Sequence, residues 1–308
     1  MQAIGVDVGG TKIAALRIDE RGTVRARSSR PTPASDAAGA LDAIEACVRD
    51  LLEPDVVGVG AGVAGLVASG PGVVRYSPNT AWGELGVGER LGAAFGLPWR
   101  VDNDATIAAF GEARFGAGRG ARTMVLLTVG TGIGGGIVLD GRPAVGANGF
   151  AGEFGHVVID PDGPPCGCGN RGCLEALASG NAIGRYGREA AAREPSSTLA
   201  RVGDPDAIDG RVVTEHAEAG DAAARAAIAT AGRWLGIGIA GVVDVLDPEI
   251  VVVGGGAAAA GEFLLAPARE TLAATVVGGP HRPTVPVVVA TLGNDAGAIG
   301  AAAATFPA

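Results

Sequence analysis

Ala3-Ile4-Gly5-Val6-Asp7-Val8-Gly9-Gly10-Thr11-Lys12-Ile13-Ala14-Ala15-Leu16-Arg17-Ile18 is an apolar run, a glycine turn and a second apolar run. Such runs, bounded by glycines, read as two buried β-strands joined by a tight turn. The same plan recurs at Met124-Val125-Leu126-Leu127-Thr128-Val129-Gly130-Thr131-Gly132-Ile133-Gly134-Gly135-Gly136-Ile137-Val138-Leu139. Asp7 aligns with Thr128, an offset of 121 residues. A repeat of that length is a duplicated lobe and not a solenoid unit. Working outward from the first copy, hydrophobic spacing predicts a helix over 41–52, a strand over 56–63, a helix from about 82 to 95 and a strand over 99–101. Helix–strand alternation of this kind predicts two α/β lobes with a cleft between them.

Gly130-x-Gly132-x-x-Gly135 has the spacing of a dinucleotide fingerprint. That fingerprint must open a helix, whereas Ile137-Val138-Leu139-Asp140-Gly141 reads as a strand ending in a turn. The same objection holds after Gly10. A glycine turn between antiparallel strands still offers backbone N–H groups to phosphate, as an anion-binding nest. A third loop follows the apolar run 249–253 at Gly254-Gly255-Gly256, ahead of an alanine-rich helix. Glycines at a strand's carboxyl end let a flat base or ribose approach the backbone.

At 308 residues, two lobes are expected on length as well. The net charge of −9 excludes the basic stripe that a nucleic-acid surface needs. The first residues lack the basic segment and apolar stretch of a signal peptide. No apolar run approaches the roughly 20 residues needed to span a bilayer, and the longest helical candidate covers 234–243. A reducing cytoplasm is therefore the expected location.

Three of the four cysteines, Cys166, Cys168 and Cys173, lie within eight residues, and His156 stands ten positions upstream. Three thiolates and an imidazole at this spacing read as a closed tetrahedral zinc site, which is structural and does not activate water. The plain alternative is three free thiols, but a loop rich in glycine and proline is a poor place for inert buried cysteines. Cys47 falls in the helical pattern with Leu41, Ile44, Val48 and Leu51, as a small core residue. Glu153 and Glu175 flank the cluster as acceptors suited to a polyhydroxylated ligand.

Asp7-Val8-Gly9-Gly10-Thr11-Lys12, Thr131-Gly132-Ile133-Gly134-Gly135-Gly136, Gly152-Glu153-Phe154-Gly155-His156 and Cys166-x-Cys168-Gly169-x-x-Gly172-Cys173-x-Glu175 together resemble the repressor/ORF/kinase (ROK) family of sugar kinases. The likeness runs from residue 3 to about 303, and it is strongest to the bacterial ATP-dependent glucokinase branch. The resemblance implies a two-lobed actin-like, hexokinase-type α/β fold with duplicated domains, ATP with Mg²⁺, and a structural zinc beside the sugar site. The chain starts directly on its first strand, where repressor members carry a helix-turn-helix, so a non-catalytic sugar-sensing regulator is the least expected alternative. The expected domains are 1–106 plus 294–308, with the C-terminal helix returning to the first lobe, and 107–293 with the zinc.

A sugar kinase needs a carboxylate to accept the hydroxyl proton, a cation on the phosphates and donors along the phosphate chain. Asp102, Asn103 and Asp104 stand at the end of a strand, where open α/β lobes bind ligands. Spacing alone does not choose between the two aspartates, and Asp104 also suits a helix cap. The family's catalytic segment, matched by Val101-Asp102-Asn103-Asp104-Ala105, implies Asp104 as the base. Asn103, Glu153, His156 and Glu175 are the expected sugar contacts, with Gly65 and Asn79 as weaker family positions. Asp7 is the expected Mg²⁺ holder. Gly9, Gly10, Thr11, Lys12, Thr131, Gly132, Gly134, Gly254, Gly255 and Gly256 are the expected nucleotide contacts. The expected reaction phosphorylates the 6-hydroxyl of a hexose, glucose foremost, with N-acetylglucosamine or N-acetylmannosamine as the alternative. The other expected partners are further copies of the chain, as a homodimer or homotetramer.

Overall fold

A computed structural model describes residues 1–77, 80 and 82–307, so Asn79 lies outside the described residues. The first sheet grows from the opening repeat. Strands β1 (Gln2–Val8), β2 (Lys12–Asp19) and β3 (Val24–Pro31) run antiparallel in sequence. Helix α1 (Ala37–Leu51) is capped by Asp36, whose carboxylate accepts from Gly39 N, and it crosses to β4 (Val56–Val63), parallel to β1. A small antiparallel sheet follows, of β5 (Leu66–Ala68), β6 (Val73–Tyr76) and β7 (Leu85–Gly86). Helix α2 (Val87–Phe95) then leads to β8 (Trp99–Asn103), parallel to β4, and α3 (Asp104–Phe115) ends this copy. The order is β3-β2-β1-β4-β8.

The second copy reuses the order. Strands β9 (Met124–Val129), β10 (Ile133–Leu139), β11 (Arg142–Pro143), β12 (Ile250–Gly254) and β13 (Val287–Val289) form a sheet ordered β11-β10-β9-β12-β13. Between β11 and β12 lie α4 (Leu174–Ala178), α5 (Gly180–Arg193), α6 (Gly210–Glu218) and α7 (Ala222–Leu246); α8 (Glu262–Thr275) precedes β13, and α9 (Ala296–Ala303) ends the chain. Two sheets with one connection order bear out the duplicated α/β architecture expected of an actin-like kinase fold.

The glycine content has a mechanical use in the first sheet. Gly5 of β1 pairs with Gly60 of β4. A Cβ on Gly5 would lie 1.8 Å from the carbonyl oxygen of Ala298, and one on Gly60 would lie 2.0 Å from that of Ala301. On the far side of α9, a Cβ on Gly300 would lie 1.9 Å from the carbonyl oxygen of Ile107 in α3. Helix α9, all small residues except Ile299, is thus seated backbone-to-backbone on β1, β4 and α3. The opposite face of β1 packs Ile4, Val6 and Val8 against α1, where Ile44, Cys47 and Val48 are buried as expected.

Packing divides the chain into two compact units: residues Met1–Leu126, Gly136–Gly152 and Thr291–Ala308, and residues Leu127–Gly135 with Glu153–Ala290. This division runs elsewhere than the expected boundaries at 106 and 293, because α3 rests on α9 within the first unit. Two expected elements also differ. The helix expected from about 82 starts at Val87, since Glu84 adopts a positive φ of 54° and β7 pairs with β6 instead. Helix α7 extends well beyond 234–243: its 25 residues are long and apolar enough to cross a membrane by composition alone. It is a core helix of the second unit, packed against α4, α5, α6 and α8.

Gly60→Ala places a methyl group against a backbone carbonyl that cannot rotate away. It is expected to cost at least about 1–3 kcal/mol, the range for overpacking a tight core, read from urea unfolding. An unchanged midpoint would show that α9 shifts freely on the sheet.

Candidate active site

The first unit carries an acidic group of candidate residues. Asp7, Gly62 and Asp102 are register neighbours across β1, β4 and β8, and Val63 pairs with Asn103. The carboxyl ends of three parallel strands therefore lie side by side. Asn103 is the N-cap of α3: its Oδ1 accepts from Ala105 N at 2.9 Å and Thr106 N at 3.1 Å. Its Nδ2 donates to the carbonyl of Gly65 at 3.0 Å. The capping role open to Asp104 in the sequence thus belongs to Asn103, and Asp104 is the first helical residue, its carboxylate accepting from Ala105 N at 2.8 Å. The Asn103 side chain also hydrogen-bonds to the Asp104 carboxyl, which ties the two residues together at the helix start.

The two aspartates that spacing left undecided have different surroundings. Asp102 is fully buried on β8, with Arg100 Nε at 2.5 Å from Oδ2. Asp104 is only partly covered, and burial raises its pKa. Asp7 is pushed up to about 7, first by burial and then by the negative charge of Asp104. Two carboxyl groups whose proton affinity is raised by burial, one of them also by its neighbour's charge, offer oxygen donors only and suit a hard divalent cation.

The first glycine turn is the expected β-hairpin. Gly9 N donates to Lys12 O at 3.1 Å, so that N–H is spent within the turn. Thr32, which carries no sequence signal, fastens the turn from β3: its N donates to Thr11 O at 3.0 Å and its Oγ1 to Gly9 O at 2.7 Å. Thr11 and Lys12 are exposed. Among the described residues this leaves the N–H groups of Gly10 and Thr11 as donors for an anion.

The second unit carries the metal-ligand cluster and the other two glycine turns. The ligand atoms of His156, Cys166, Cys168 and Cys173 all lie within 4.8 Å of one another. Cys168 and Cys173 sulfurs are 3.7 Å apart, as are Cys166 Sγ and His156 Nδ1. A zinc tetrahedron with metal–sulfur bonds of about 2.3 Å has edges of about 3.8 Å, so the donor set fits zinc in size and softness. The segment is built for this spacing. Cys166 N donates to Asn170 O at 2.8 Å, closing the knuckle, and Gly169 and Gly172 take positive φ of 96° and 64°. A Cβ on Gly172 would lie 1.4 Å from the carbonyl oxygen of Asp160.

Glu153 opens the 3-10 turn of residues 154–156, its carbonyl accepting from His156 N at 3.0 Å. Glu175 lies in the first turn of α4, two residues past Cys173. Its carboxylate is held by backbone: Oε2 accepts from Ile133 N, in the second glycine turn, at 2.8 Å. That turn is closed by Gly130 N to Gly132 O at 2.9 Å, and Gly180 N donates to Gly130 O at 2.7 Å. Thr131 is exposed at its tip, and Gly134 is in β10. Gly254 ends β12, and Gly255, with φ of 85°, would press a Cβ to 2.4 Å from the carbonyl oxygen of Val129. The second and third glycine turns therefore meet at the end of β9. The expected helix after Gly256 is first a 3-10 turn over Gly256–Ala260, and α8 begins at Glu262.

Comparison with known proteins agrees with this architecture. The profile of the ROK family matches residues 3–306. The glucokinase of Streptomyces coelicolor is 41% identical over 304 residues, covering 97% of this chain and 96% of that protein. The N-acetylmannosamine kinase of Citrobacter koseri is 36% identical over 307 residues, covering 98% of each. The crystal structure of a ROK family glucokinase from Streptomyces griseus, in complex with glucose and AMPPNP, superposes with a TM-score of 0.84 at 41% identity, covering 98% of both chains. Over nearly its whole length, then, this chain belongs to the ROK family.

Proposed function

We propose that the protein is an ATP-dependent sugar kinase that phosphorylates the 6-hydroxyl of a hexose, glucose foremost. The observation that carries this reading is Asp104: a partly covered carboxylate at the start of α3, set there by the Asn103 cap, with its proton affinity raised by burial. A base of raised pKa accepts a hydroxyl proton more readily near neutral pH than an ordinary carboxylate does. In the proposed reaction Asp104 takes the proton of the sugar hydroxyl as that oxygen attacks the γ-phosphorus; the bond from that phosphorus to the β–γ bridging oxygen breaks, and ADP leaves. Asn103, Glu153, His156 and Glu175 orient the sugar hydroxyls, with the Gly65 and Asn79 positions as further contacts. The N–H groups of Gly10, Thr11, Thr131 and Gly132, and the Lys12 ammonium, line the phosphates, while Gly254–Gly256 admit the nucleoside. Asp7 would hold Mg²⁺, which would supply charge neutralisation on the phosphates.

Zinc on His156, Cys166, Cys168 and Cys173 is proposed as a structural ion that orders the sugar-contacting segment. The N-acetylmannosamine kinase relative favours a second reading, an amino-sugar kinase, because an acetyl pocket depends on loop shape and not on the base. We place the protein in the cytoplasm as a homodimer or homotetramer. The reading is tested by a coupled ADP-release assay over hexoses and N-acetylhexosamines, with ATP and with polyphosphate. Turnover of glucose with ATP supports it, and silence across the panel removes it.

Asp104→Asn keeps the shape and removes the proton acceptor. The turnover rate is expected to fall about 10²–10⁴-fold with sugar binding retained, as calorimetry would read. Near wild-type turnover would reduce Asp104 to a helix-start residue.

Purified protein is expected to carry one zinc per chain, lost in Cys168→Ser, with falls in thermal stability and sugar affinity that added Mg²⁺ does not restore. Absence of zinc from chelator-free preparations would remove the ion from the account.

Asp7 gives a pH signature. Its folded pKa of about 7 lies above the ordinary carboxyl value of 3.8. Between those values the folded chain holds a proton that the unfolded chain has released. Stability of the metal-free protein therefore falls as pH rises through that window, by on the order of 2–4 kcal/mol for this group. Asp7→Asn is expected to flatten the fall, and Mg²⁺ to reverse it above pH 7. A parallel pH–stability curve for the variant would count against the raised pKa.

A further inference from the structure

We propose that Glu175 is a positioning residue that ties the metal-bearing segment to the second glycine turn, so that metal occupancy and nucleotide binding are linked through one carboxylate. The inference rests on the kinase reading only in naming the nucleotide as the ligand of the turn.

Four contacts carry it, all within the second unit. Glu175 Oε2 accepts from Ile133 N at 2.8 Å, a charge-assisted bond to the first residue of β10. A Cβ on Gly132 would lie 2.2 Å from the same Oε2, so the turn runs directly over the carboxylate. A Cβ on Gly155 would lie 2.0 Å from the carbonyl oxygen of Ile133, so the segment bearing His156 grips the other side of that residue. The remaining oxygen, Oε1, is 3.8 Å from Cys166 Sγ. Ile133 thus has its N–H held from one side of the metal cluster and its carbonyl pressed from the other.

The geometry of Glu175 is in turn set by the cluster. Cys173 occupies the N-cap position of α4 without a side-chain capping bond, because its sulfur points to the cluster, 3.7 Å from that of Cys168. Leu174 N donates to Val157 O at 2.9 Å, which locks the start of α4 to the residue after His156. Moving Cys173 or His156 therefore moves the first turn of α4, and Glu175 with it. On the receiving side, Gly130 N is spent on Gly132 O and Ile133 N on Glu175. Among the described residues this leaves Thr131 and Gly132 with N–H groups for a phosphate. Their direction depends on where Ile133 is fixed. An ordered donor pair binds an anion better than a mobile one because less conformational freedom is lost on binding.

The test uses the full-length protein and compares Glu175→Asp and Glu175→Gln with the wild type. Aspartate is one methylene short and cannot reach Ile133 N, whereas the glutamine oxygen still accepts from it. Two quantities are read without sugar: hydrogen exchange at the Ile133 amide, and the dissociation constant of Mg²⁺ with a non-hydrolysable ATP analogue. For Glu175→Asp, with one zinc per chain retained, exchange is expected to speed up and the dissociation constant to rise, each about tenfold. That is the low end of what a charge-assisted bond supplies. Glu175→Gln is expected within about threefold of wild type. Removing zinc from the wild type should give the Glu175→Asp phenotype, and removing it from Glu175→Asp should add little further loss. Wild-type exchange and nucleotide affinity in Glu175→Asp, whatever happens to sugar affinity, would overturn the proposal. So would an equal loss on zinc removal in both proteins. Where chelation unfolds the chain, the zinc-loaded variants decide alone. If no form binds nucleotide, the kinase reading fails, and exchange at Ile133 still decides the carboxylate's role.

Discussion

Helix α9 touches β1, β4 and α3 backbone to backbone at three glycines, and the first unit depends on that contact. It demands glycine at 5, 60 and 300, where a single methyl group would overlap a carbonyl oxygen. The return for this austerity is position. The first turn of α9 reaches the end of β1, where a Cβ on Gly297 would stand 3.1 Å from Asp7 Cγ. The opposite flank of the helix fixes α3, whose first residue is Asp104. A bulkier interface would push both carboxylates away from the strand ends. The raised proton affinity of Asp7, caused by burial and by Asp104, is the electrostatic trace of this closeness.

The duplicated strand order gives the chain two glycine turns of the same plan, but they are held differently. The first is fastened from its own sheet by Thr32 on both Gly9 and Thr11. The second has no such strand neighbour in that role and is fastened instead by Glu175 and Gly180. Duplication thus supplied the scaffold, and each copy found separate means of stiffening its turn. Stiffening matters because a flexible nest of N–H groups must be ordered at the moment of binding, and the ordering is subtracted from the affinity.

The repeat was legible because both copies keep strand, glycine turn and strand at a constant offset, and strand periodicity survives divergence. The metal cluster was legible because thiols and imidazole at short spacing have few other uses in a glycine-rich loop. The assignment of Asn103 and Asp104 was not fixed by residues alone. Either side chain can cap a helix, and which one does depends on where β8 stops, a boundary that local pattern leaves open by a residue or two. Trp82 and Leu85 fall at helical spacing, so local pattern extends α2 toward residue 82. Yet Trp82 is buried with its Nε1 donating to Pro33 O at 3.3 Å, and Leu85 joins a strand. Thr32 and the second role of Glu175 were invisible for a related reason. Each acts on backbone atoms distant in sequence, and such bonds leave no compositional mark.

The donor chemistry also bears on how the two divalent ions of the proposed function would be sorted. The cluster on the second unit offers three sulfurs and one imidazole nitrogen, soft to borderline donors at the edge length of a zinc tetrahedron. Magnesium, a hard ion that keeps much of its water and wants oxygen at about 2.1 Å, gains nothing there. Asp7 and Asp104 offer only carboxylate oxygens, one of them with a pKa near 7. Such a site holds a weakly bound, partly hydrated cation best, because the ion must first compete with a proton. Zinc bound at the sulfur site would be held tightly and a cation at the carboxylates loosely, as the side chains themselves dictate. In the proposed reaction these are the two behaviours required: one ion that keeps the sugar-contacting segment folded through every turnover, and one that arrives and leaves with the nucleotide.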